Sequence, residues 1–169
     1  MNVRQARPGE FPAGVQVAVA AKRATGVPFD VDEATLRVAL PARQAAANRV
    51  WLAFDDGVVI GHALVAVMTD DDPTWGPVTD PAVVSARRSG RLLELGALSV
   101  HPDHHRRGVA RELQRVRLLW ADRHGLVPVA AAWDDSPGST ELCRQAGRPV
   151  GVHPRYPITL FVLDRRTAA

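Results

Sequence analysis

Residues 92–113 read LLELGALSVHPDHHRRGVAREL, and no other stretch of the sequence predicts as much about the fold. Leu92–Val100 is an apolar run of strand length, and His101–Pro102–Asp103 ends it. Between Gly108 and His124 the apolar residues recur at intervals of three and four, which predicts an amphipathic helix. We therefore expect a buried strand that passes through a short basic loop into the start of a helix.

The clearest hairpin in the sequence lies before this stretch. Two apolar runs, Val50–Phe54 and Val58–Met68, are separated by Asp55–Asp56–Gly57. An Asp-Gly pair supplies the positive φ angles that a tight hairpin turn requires. The sequence therefore predicts two adjacent antiparallel strands.

A strand and two helices are expected near the N-terminus. Asn2–Arg7 alternates weakly and predicts a short strand, and Pro8–Thr25 has apolar residues at helical spacing. A second helix follows, capped by Asp30 or Asp32, and we expect Pro41 to interrupt it or end it.

After the central stretch, the chain alternates between strands and helices. Thr69–Arg91 is rich in Asp, Pro and Gly and predicts a loop. The order of elements, β-αα-ββ-β-α-β-α-β, indicates an α/β or α+β fold with one mixed sheet flanked by helices, in a single domain spanning residues 1–169. The elements expected late in the chain are a strand over Val127–Trp133, a short helix capped by Asp135 or Ser136 and ending at Gln145, and a last strand over Ile158–Leu163.

Composition excludes several classes of protein. With 46% hydrophobic and 23% charged residues, the chain is typical of a globular domain and unlike a disordered one. Cys143 is the only cysteine, which excludes an internal disulfide framework and a CxxC metal site. The sequence contains no apolar run of the roughly 18 residues that a membrane span requires, and its N-terminus lacks the pattern of a signal peptide. We therefore expect a cytoplasmic protein without a membrane partner.

The basic charge balance raises the question of nucleic-acid binding. The pI is about 9.9, yet the net charge is only +3 and aromatic residues are only 5% of the chain. A nucleic-acid surface would combine clustered cations with stacking aromatic rings. We expect no nucleic-acid partner, and a nucleic-acid or anion-binding regulator stays as a third and weaker interpretation.

The basic loop before the predicted helix has the features of a phosphate site. The N-terminus of a helix has unpaired N–H groups and a dipole that favours an anion. Gly108 permits close approach to the backbone, and three arginines supply guanidinium groups suited to phosphate, namely Arg106, Arg107 and Arg111. The loop is not a Walker A sequence, because no Gly-Lys-Ser/Thr follows it. The residues alone predict either a pyrophosphate cradle or a tight turn with exposed arginines.

These residues also resemble a known motif. Leu92–Asp103 followed by Gly108–Leu113 is similar to the acetyl-CoA motif of the GNAT superfamily of N-acetyltransferases, in which a strand and V-x-P-x-x precede Q/R-x-x-G-x-G/A at a helix start. The resemblance extends to the order of elements over most of the chain. It implies a GNAT-like fold whose central sheet is mixed and mostly antiparallel and contains a splayed pair of strands. His105 departs from the motif, because it stands at the Q/R position.

The resemblance implies acetyl-CoA, or another short acyl-CoA, as co-substrate. The histidines have no spacing with cysteine or carboxylates that is typical of metal ligands, so we expect no metal ion. Leu98, Ser99 and Val100 would offer backbone groups to the pantetheine arm, and Ser136 would hydrogen-bond the cofactor. The pyrophosphate would be held by His105, Arg106, Arg107, Gly108, Val109, Ala110 and Arg111.

Acyl transfer to an amine needs a proton acceptor for the amine and a proton donor for the leaving thiolate. Glu94 stands where some family members carry a general base, and burial among leucines would raise its pKa. The alternatives are a Glu on the solvent face of an edge strand or one paired with an arginine. Asp134 and Asp135 are fallback carboxylates, which otherwise cap a helix.

The proton donor has several candidates. By the resemblance, Cys143 stands at the position of the tyrosine that usually serves the family as general acid, and Arg148 replaces a nearby aromatic residue. A buried, inert cysteine is the alternative. Tyr156, the only tyrosine, is a substitute donor, and water is another. Trp75 lies in an acidic loop, which is expected either to border the acceptor site, where its charge would suit a cationic amine, or to be a solvated loop. The acidic residues of this loop are Asp70, Asp71, Asp72 and Asp80.

The favoured function is transfer of an acetyl or other short acyl group from acetyl-CoA to a primary amine, by direct attack with general-base assistance. The acceptor would be a small-molecule amine, a protein N-terminus or a lysine, and the resemblance is compatible with a homodimer. The alternative is a catalytically degenerate module that binds acyl-CoA, because the Tyr is missing and His105 replaces Q/R.

Overall fold

The computed structural model describes residues 1–25, 33–70 and 72–164. The two candidate caps of the second helix, Asp30 and Asp32, lie outside the described residues. The helices are Phe11–Thr25 (α1), Glu33–Ala46 (α2), Pro81–Arg88 (α3), Val109–Arg123 (α4) and Pro137–Ala146 (α5). The strands are Asn2–Gln5 (β1), Arg49–Asp55 (β2), Val58–Val67 (β3), Leu92–Val100 (β4), Val127–Trp133 (β5), Gly147–Val152 (β6) and Ile158–Leu163 (β7).

The strands form a mixed sheet in the order β1-β2-β3-β4-β5-β7-β6. The registers of β1 with β2, β2 with β3, β5 with β7 and β6 with β7 are antiparallel, whereas β4 and β5 run parallel. The parallel register covers the pairs Leu92–Val127, Leu93–Pro128 and Glu94–Val129, at the start of both strands. A parallel register this short is expected where two strands diverge after their first residues, as in a splayed pair. The prediction of a mixed, mostly antiparallel sheet flanked by helices is confirmed.

The chain divides into two compact units. Unit 1 comprises Met1–Val65 and Ala97–Val116, and unit 2 comprises Ala66–Gly96 and Arg117–Ala169. Burial of apolar side chains is the main stabilising contribution in each. The core of unit 1 contains Ala6, Val15, Ala18, Val19, Leu40, Val50, Leu52 and Leu64. The core of unit 2 contains Trp75, Val78, Val83, Ala86, Leu92, Val129, Ile158 and Leu160.

The β2–β3 hairpin has the turn that its sequence predicts. Asp56 and Gly57 have φ angles of 45° and 79°. Positive φ at both central residues is the requirement of a two-residue type I′ turn, so the prediction is confirmed. The turn follows Asp55, which contacts the loop after β4, as described below.

The segment between β3 and β4 contains a helix where the sequence predicts a loop. Asp80 Oδ1 accepts hydrogen bonds from the N–H groups of Ala82 and Val83, at 3.0 and 3.4 Å. The Asp-Pro pair is therefore the cap and first residue of α3, not a turn. Trp75, which precedes α3, is fully buried in the core of unit 2. Trp75 is therefore a core residue, and the interpretation of this side chain as part of a solvated loop is wrong.

One further prediction is wrong, and one strand has no counterpart in the sequence-based prediction. Pro41 neither interrupts nor ends α2, which continues to Ala46. A proline removes one backbone hydrogen bond, and burial of the neighbouring Leu40 retains the helix. β6 is an edge strand that pattern does not predict, because Gly147 and Pro149 are poor strand residues. An edge strand tolerates proline, since one side of it makes no ladder bonds.

Candidate active site

The loop between β4 and α4 leads into an open helix N-terminus. The Glu112 N–H donates to the Gly108 carbonyl at 3.0 Å, so α4 begins directly after Gly108. The N–H groups of Val109, Ala110 and Arg111 have no acceptor in the described part of the chain. A Cβ added to Gly108 would meet no atom within 4 Å, so the space beside the glycine is open. Unpaired N–H groups at the positive end of a helix dipole form a site for an anion.

The loop reaches α4 through two residues with left-handed backbone. Arg106 has a φ of 60° and Gly108 a φ of 80°. Glycine adopts this conformation without penalty, whereas for an L-residue such as Arg106 the conformation is less stable by about 1–2 kcal/mol. Strained backbone of this kind is concentrated at ligand sites, where the surrounding structure holds it in place.

A glycine on β3 sets how closely α4 approaches the sheet. A Cβ added to Gly61 would lie 2.8 Å from Val109 Cγ1 and 2.9 Å from Leu113 Cδ1. Both of these side chains are buried. The first turn of α4 therefore packs on bare backbone of β3, and this contact determines where the unpaired N–H groups lie. Pattern does not single out Gly61, because the contact joins residues far apart in sequence.

The arginines of the loop are exposed, and one is paired with the hairpin. Arg106, Arg107 and Arg111 all reach solvent. Arg107 Nη1 lies 3.7 Å from Asp55 Oδ2, and His104 Nδ1 lies 3.7 Å from the same oxygen. An exposed ion pair of this length is worth at most about 1 kcal/mol. Asp55 thus orients Arg107 beside the loop without preventing it from binding an anion.

His105 makes a hydrogen bond within the loop. Its Nε2 lies 3.1 Å from the carbonyl oxygen of Val100. Because a carbonyl only accepts, Nε2 carries the proton and donates. The sequence-based interpretation has the His105 ring and the Val100 backbone both serving a cofactor, whereas the structure pairs them with each other. Nδ1 is then the ring atom left to contact a ligand.

β4 contains a bulge before its last three residues. The Met68 N–H donates to the Leu92 carbonyl and the His101 N–H donates to the Ile60 carbonyl. Between these bonds β3 advances eight residues, from 60 to 68, while β4 advances nine, from 92 to 101. The extra residue is marked by Ala97, whose φ is 46°. Leu98, Ser99 and Val100 follow directly, the first two half-buried and the third buried.

Unit 2 brings Glu94 close to a buried arginine that pattern does not identify as functional. Arg117, on α4, is 2% exposed, and its Nη1 donates to the Gly96 carbonyl at 3.2 Å. Burial lowers the pKa of Arg117 to about 10, while the charges of Cys143 and Glu94 act to raise it. Arg117 is therefore cationic at neutral pH. Spacing of four residues from Leu113 places it on the buried face of α4, which is the only sequence feature that points to it.

Glu94 is half-buried on β4. β4 lies between β3 and β5 in the strand order, so Glu94 is not on an edge strand and that alternative is wrong. Electrostatic interaction between Glu94 and Arg117 supports the other alternative, a carboxylate near an arginine. Such a neighbour favours the charged form of a carboxyl group, the form that accepts a proton.

Cys143 is buried on α5, with 5% of its surface exposed. Burial raises the pKa of its thiol to about 11, and the positive charge of Arg117 acts in the opposite direction. The thiol is therefore neutral at pH 7. A neutral thiol can donate a proton but is not a nucleophile.

The remaining candidate residues lie after β5. Ser136 occupies the N-cap position of α5, but its side chain makes no capping hydrogen bond. Asp134 does not cap the helix either, because its Oδ1 accepts from Thr159 Oγ1 at 2.7 Å. Tyr156 is 44% exposed, and its ring lies 5.9 Å from Trp133 and 4.9 Å from His153.

Within residues 1–25, 33–70 and 72–164, no group of three or more His, Cys, Asp and Glu side chains could hold a metal ion. No helix in the same ranges is both long enough and apolar enough to cross a membrane.

One family model and several solved structures are similar to this chain. Residues 19–147 match the model of the Acetyltransferase (GNAT) family. Among solved structures, a GNAT family acetyltransferase from Brucella melitensis in complex with acetyl-CoA is 22% identical, with a TM-score of 0.56 over 76% of this chain and 73% of that one. A putative acetyltransferase from Salmonella typhimurium with its cofactor acetyl-CoA is 24% identical, with a TM-score of 0.62 over 98% and 94%. A GNAT family acetyltransferase from Staphylococcus aureus Mu50 is 8% identical, with a TM-score of 0.70 over 97% and 98%. A search of curated proteins found no match.

Proposed function

The chain belongs to the GNAT family of acetyltransferases, and we propose that it transfers an acetyl or other short acyl group from its coenzyme A thioester to a primary amine. The acceptor is a small-molecule amine, a protein N-terminus or a lysine, and the reaction takes place in the cytoplasm within one domain, residues 1–169. The observation that carries the proposal is the open start of α4, where three N–H groups have no acceptor among the described residues.

The start of α4 fits a pyrophosphate. The N–H groups of Val109, Ala110 and Arg111 supply three donors, and the open space beside Gly108 admits a phosphate close to the backbone. Arg106 and Arg107 add positive charge from exposed side chains. The two similar structures from Brucella melitensis and Salmonella typhimurium are complexes with acetyl-CoA, which supports the assignment.

We assign the pantetheine arm to the last residues of β4. The bulge at Ala97 shifts the register of the strand, and the backbone groups of Leu98, Ser99 and Val100 follow it. Backbone amides can pair with an extended ligand as they pair with a peptide strand. The Ser136 hydroxyl makes no capping bond and is assigned to the same ligand.

We assign the role of general base to Glu94. The attacking amine must lose a proton, and the Glu94 carboxylate, which interacts electrostatically with Arg117, can accept it directly or through a water molecule. The half-buried position of Glu94 leaves part of its side chain accessible. The acyl-CoA supplies the acyl group as an activated thioester, so no metal ion is required for the attack.

We assign the proton donor to Cys143, with water as the alternative. A thiol whose pKa is about 11 remains protonated at neutral pH and can protonate a leaving thiolate. Its burial, however, also favours a second candidate function, a module that binds acyl-CoA without turnover, because a side chain that is 5% exposed has little access to a ligand.

A cofactor titration tests the proposal. The purified protein is titrated with acetyl-CoA while its melting temperature is followed. An acetyl-CoA concentration near 100 times Kd should raise the free energy of unfolding by about 2.7 kcal/mol. Gly108→Trp should abolish the shift, because the indole fills the space beside the N–H groups. Gly125→Trp is the matched control, since Gly125 ends the same helix, has a φ of 64° and also has nothing within 4 Å of an added Cβ.

The outcomes separate the two candidate functions. A shift that is lost in Gly108→Trp and kept in Gly125→Trp supports the cofactor site. Release of free CoA with any of a panel of amines then supports the enzyme, and binding without release for every amine class supports the binding module. If the folded wild-type protein shows no shift at saturating acetyl-CoA, the cofactor site is wrong and both functions fall.

A further inference from the structure

A chain of hydrogen bonds, buried or partly buried, runs through unit 1 from α1 to β4. His62, on β3, is fully buried, and its Nδ1 lies 3.0 Å from the carbonyl oxygen of Ala97. Its Nε2 lies 3.1 Å from Nε2 of Gln44, on α2. The same Gln44 nitrogen lies 3.1 Å from the carbonyl oxygen of Phe11, on α1. His62 therefore joins two helices to the bulge of β4.

The partners determine which nitrogen of His62 carries the proton. An amide nitrogen only donates, so Gln44 Nε2 gives one hydrogen to the Phe11 carbonyl and the other to His62 Nε2. Rotating the amide would place its oxygen 3.1 Å from the Phe11 carbonyl oxygen, which only accepts, so the amide keeps this orientation although Gln44 Oε1 has no partner in the described structure. The neutral His62 ring consequently carries its proton on Nδ1, which donates to the Ala97 carbonyl.

The bulge needs such a donor. A left-handed alanine is disfavoured by about 1–2 kcal/mol, so the φ of 46° at Ala97 persists only with support from its surroundings. A bulge also takes the extra residue out of the strand ladder, so its polar groups lose their ladder partners. The Nδ1–H of His62 supplies the donor that the Ala97 carbonyl requires.

The ring has no room to move away from this position. A Cβ added to Gly14, on α1, would lie 2.6 Å from His62 Cδ2 and 3.1 Å from Gln44 Nε2. The ring thus packs directly on the backbone of α1. Its direction toward Ala97 is determined by packing as well as by Gln44.

We propose that His62 is a positioning residue for the cofactor: it holds the β4 bulge so that the backbone groups of Leu98–Val100 point at the pantetheine arm of the acyl-CoA. The proposal rests on the proposed function, because it concerns the same cofactor. It assigns His62 no contact with substrate and no role as an acid or base.

Two amide substitutions separate positioning from packing. In Asn the amide nitrogen is bonded to Cγ, as Nδ1 is in histidine, so His62→Asn retains a donor toward Ala97. In Gln the nitrogen is one atom further out, as Nε2 is, so His62→Gln places its donor toward Gln44. Gln fills more of the ring's volume than Asn, so packing alone would make His62→Asn the more damaging change.

Calorimetric titration with CoA and with adenosine 3′,5′-bisphosphate provides the first readout. The bisphosphate contains the nucleotide end of CoA and lacks pantetheine. We expect His62→Gln to weaken CoA binding about five- to tenfold, the factor that corresponds to one lost hydrogen bond, with bisphosphate binding unchanged. His62→Asn should stay within about threefold of the wild type for both ligands.

Amide hydrogen exchange of the free protein provides the second readout. His62→Gln should speed exchange at Leu98–Val100 at least about tenfold, whereas His62→Asn should not. This measurement needs no ligand. If the wild type binds no CoA, the proposed function fails, and the positioning of the pantetheine arm fails with it. If exchange at Leu98–Val100 is nevertheless slow in the wild type and in His62→Asn but fast in His62→Gln, His62 still stabilises the bulge.

Three results would overturn the proposal. The first is better CoA binding by His62→Gln than by His62→Asn, which is the order that packing predicts. The second is parallel loss of CoA and bisphosphate, which would mean that the loop and α4 have moved. The third is equal exchange at Leu98–Val100 in all three proteins.

Discussion

Replacing Gly61 by alanine tests how closely α4 must approach β3. The added Cβ would lie 2.8 Å from Val109 Cγ1 and 2.9 Å from Leu113 Cδ1. Carbon atoms prefer about 3.5–4.0 Å, so the first turn of α4 must move outward by roughly 1 Å. The end of Leu113 can rotate, but valine is stiff at χ1 and Val109 cannot turn its methyl aside. Gly61 has no positive φ, so the substitution acts through space and not through backbone strain.

The movement has a predictable effect on stability and on binding. Overpacking a core costs about 1–3 kcal/mol, which for a chain of this length lowers the melting temperature by about 2–12 °C. A displacement near 1 Å also carries the Val109 and Ala110 N–H groups beyond hydrogen-bond distance of a correctly placed phosphate. We therefore expect CoA affinity to fall at least about tenfold, and more than the loss of stability alone would cause.

The assay is a double-substitution cycle read by thermal denaturation and by CoA titration. Val109→Ala removes Cγ1 and leaves the backbone N–H in place, so it should relieve the clash in the doubly substituted protein. We expect a favourable coupling of at least about 1 kcal/mol between the two substitutions. Simple additivity, or a melting temperature for Gly61→Ala within 1 °C of the wild type, would refute the inference that this contact sets the position of α4.

The other predictions concern carboxylates and the thiol. Glu94→Gln should lower turnover at least about tenfold without changing CoA affinity. The control is Glu141→Gln at an exposed residue of α5, which should change neither quantity. Equal turnover by the two variants would remove Glu94 from the mechanism. Cys143, with a pKa of about 11 instead of 9.0, has about a hundredfold less thiolate at pH 8 than a free cysteine. Iodoacetamide labelling followed by mass spectrometry should therefore be at least that much faster after unfolding in guanidinium, and native labelling at the unfolded rate would contradict its burial. Arg4 holds the pKa of Glu10 at about 2, below its ordinary 4.5, so this pair stabilises the fold above pH 4.5 and the contribution is lost as the pH falls toward 2. Glu10→Gln should lower the melting temperature at pH 7 more than at pH 3, and equal losses at both values would show that the pair is not formed.

The parts of the site that could be predicted from sequence depend on neighbouring residues. The strand Leu92–Val100, the loop after it and the start of α4 at Gly108 all follow from local apolar pattern, a proline and a glycine. The turn at Asp56–Gly57 follows from the need for positive φ. The open helix start that we propose as the phosphate cradle is therefore a local feature. Its residues are contiguous, and its donors are backbone groups that a helix start always exposes.

The errors arise where a local pattern has two solutions. Asp80–Pro81 is compatible with a turn and with a helix start, and the apolar face of α3 selects the helix, because Val83 and Ala86 are buried in unit 2. Pro41 is compatible with the end of α2 and with its interior, and packing of that helix in the core of unit 1 selects the interior. In both cases tertiary burial outweighs a preference of about 1 to 3 kcal/mol.

The residues that sequence pattern misses act through contacts between distant parts of the chain. Nothing adjacent to His62 indicates that its Nδ1 would support a bulge 35 residues later. Arg117 is one arginine among many, and only the packing of α4 makes it the buried cation near Glu94 and Cys143. Gly61 has no turn to make, and its importance comes from a helix that begins 48 residues further on, at Val109.

Local chain chemistry was thus sufficient for the order of strand, basic loop and helix and for the unpaired N–H groups at the helix start, because φ preferences and the start of a helix are properties of a few successive residues. The tertiary structure determines which ionisable side chains are desolvated. The neutral state of Cys143, the buried charge of Arg117 and the proton on His62 Nδ1 each depend on the groups that packing brings within a few ångströms, since desolvation and hydrogen bonding are properties of the assembled core.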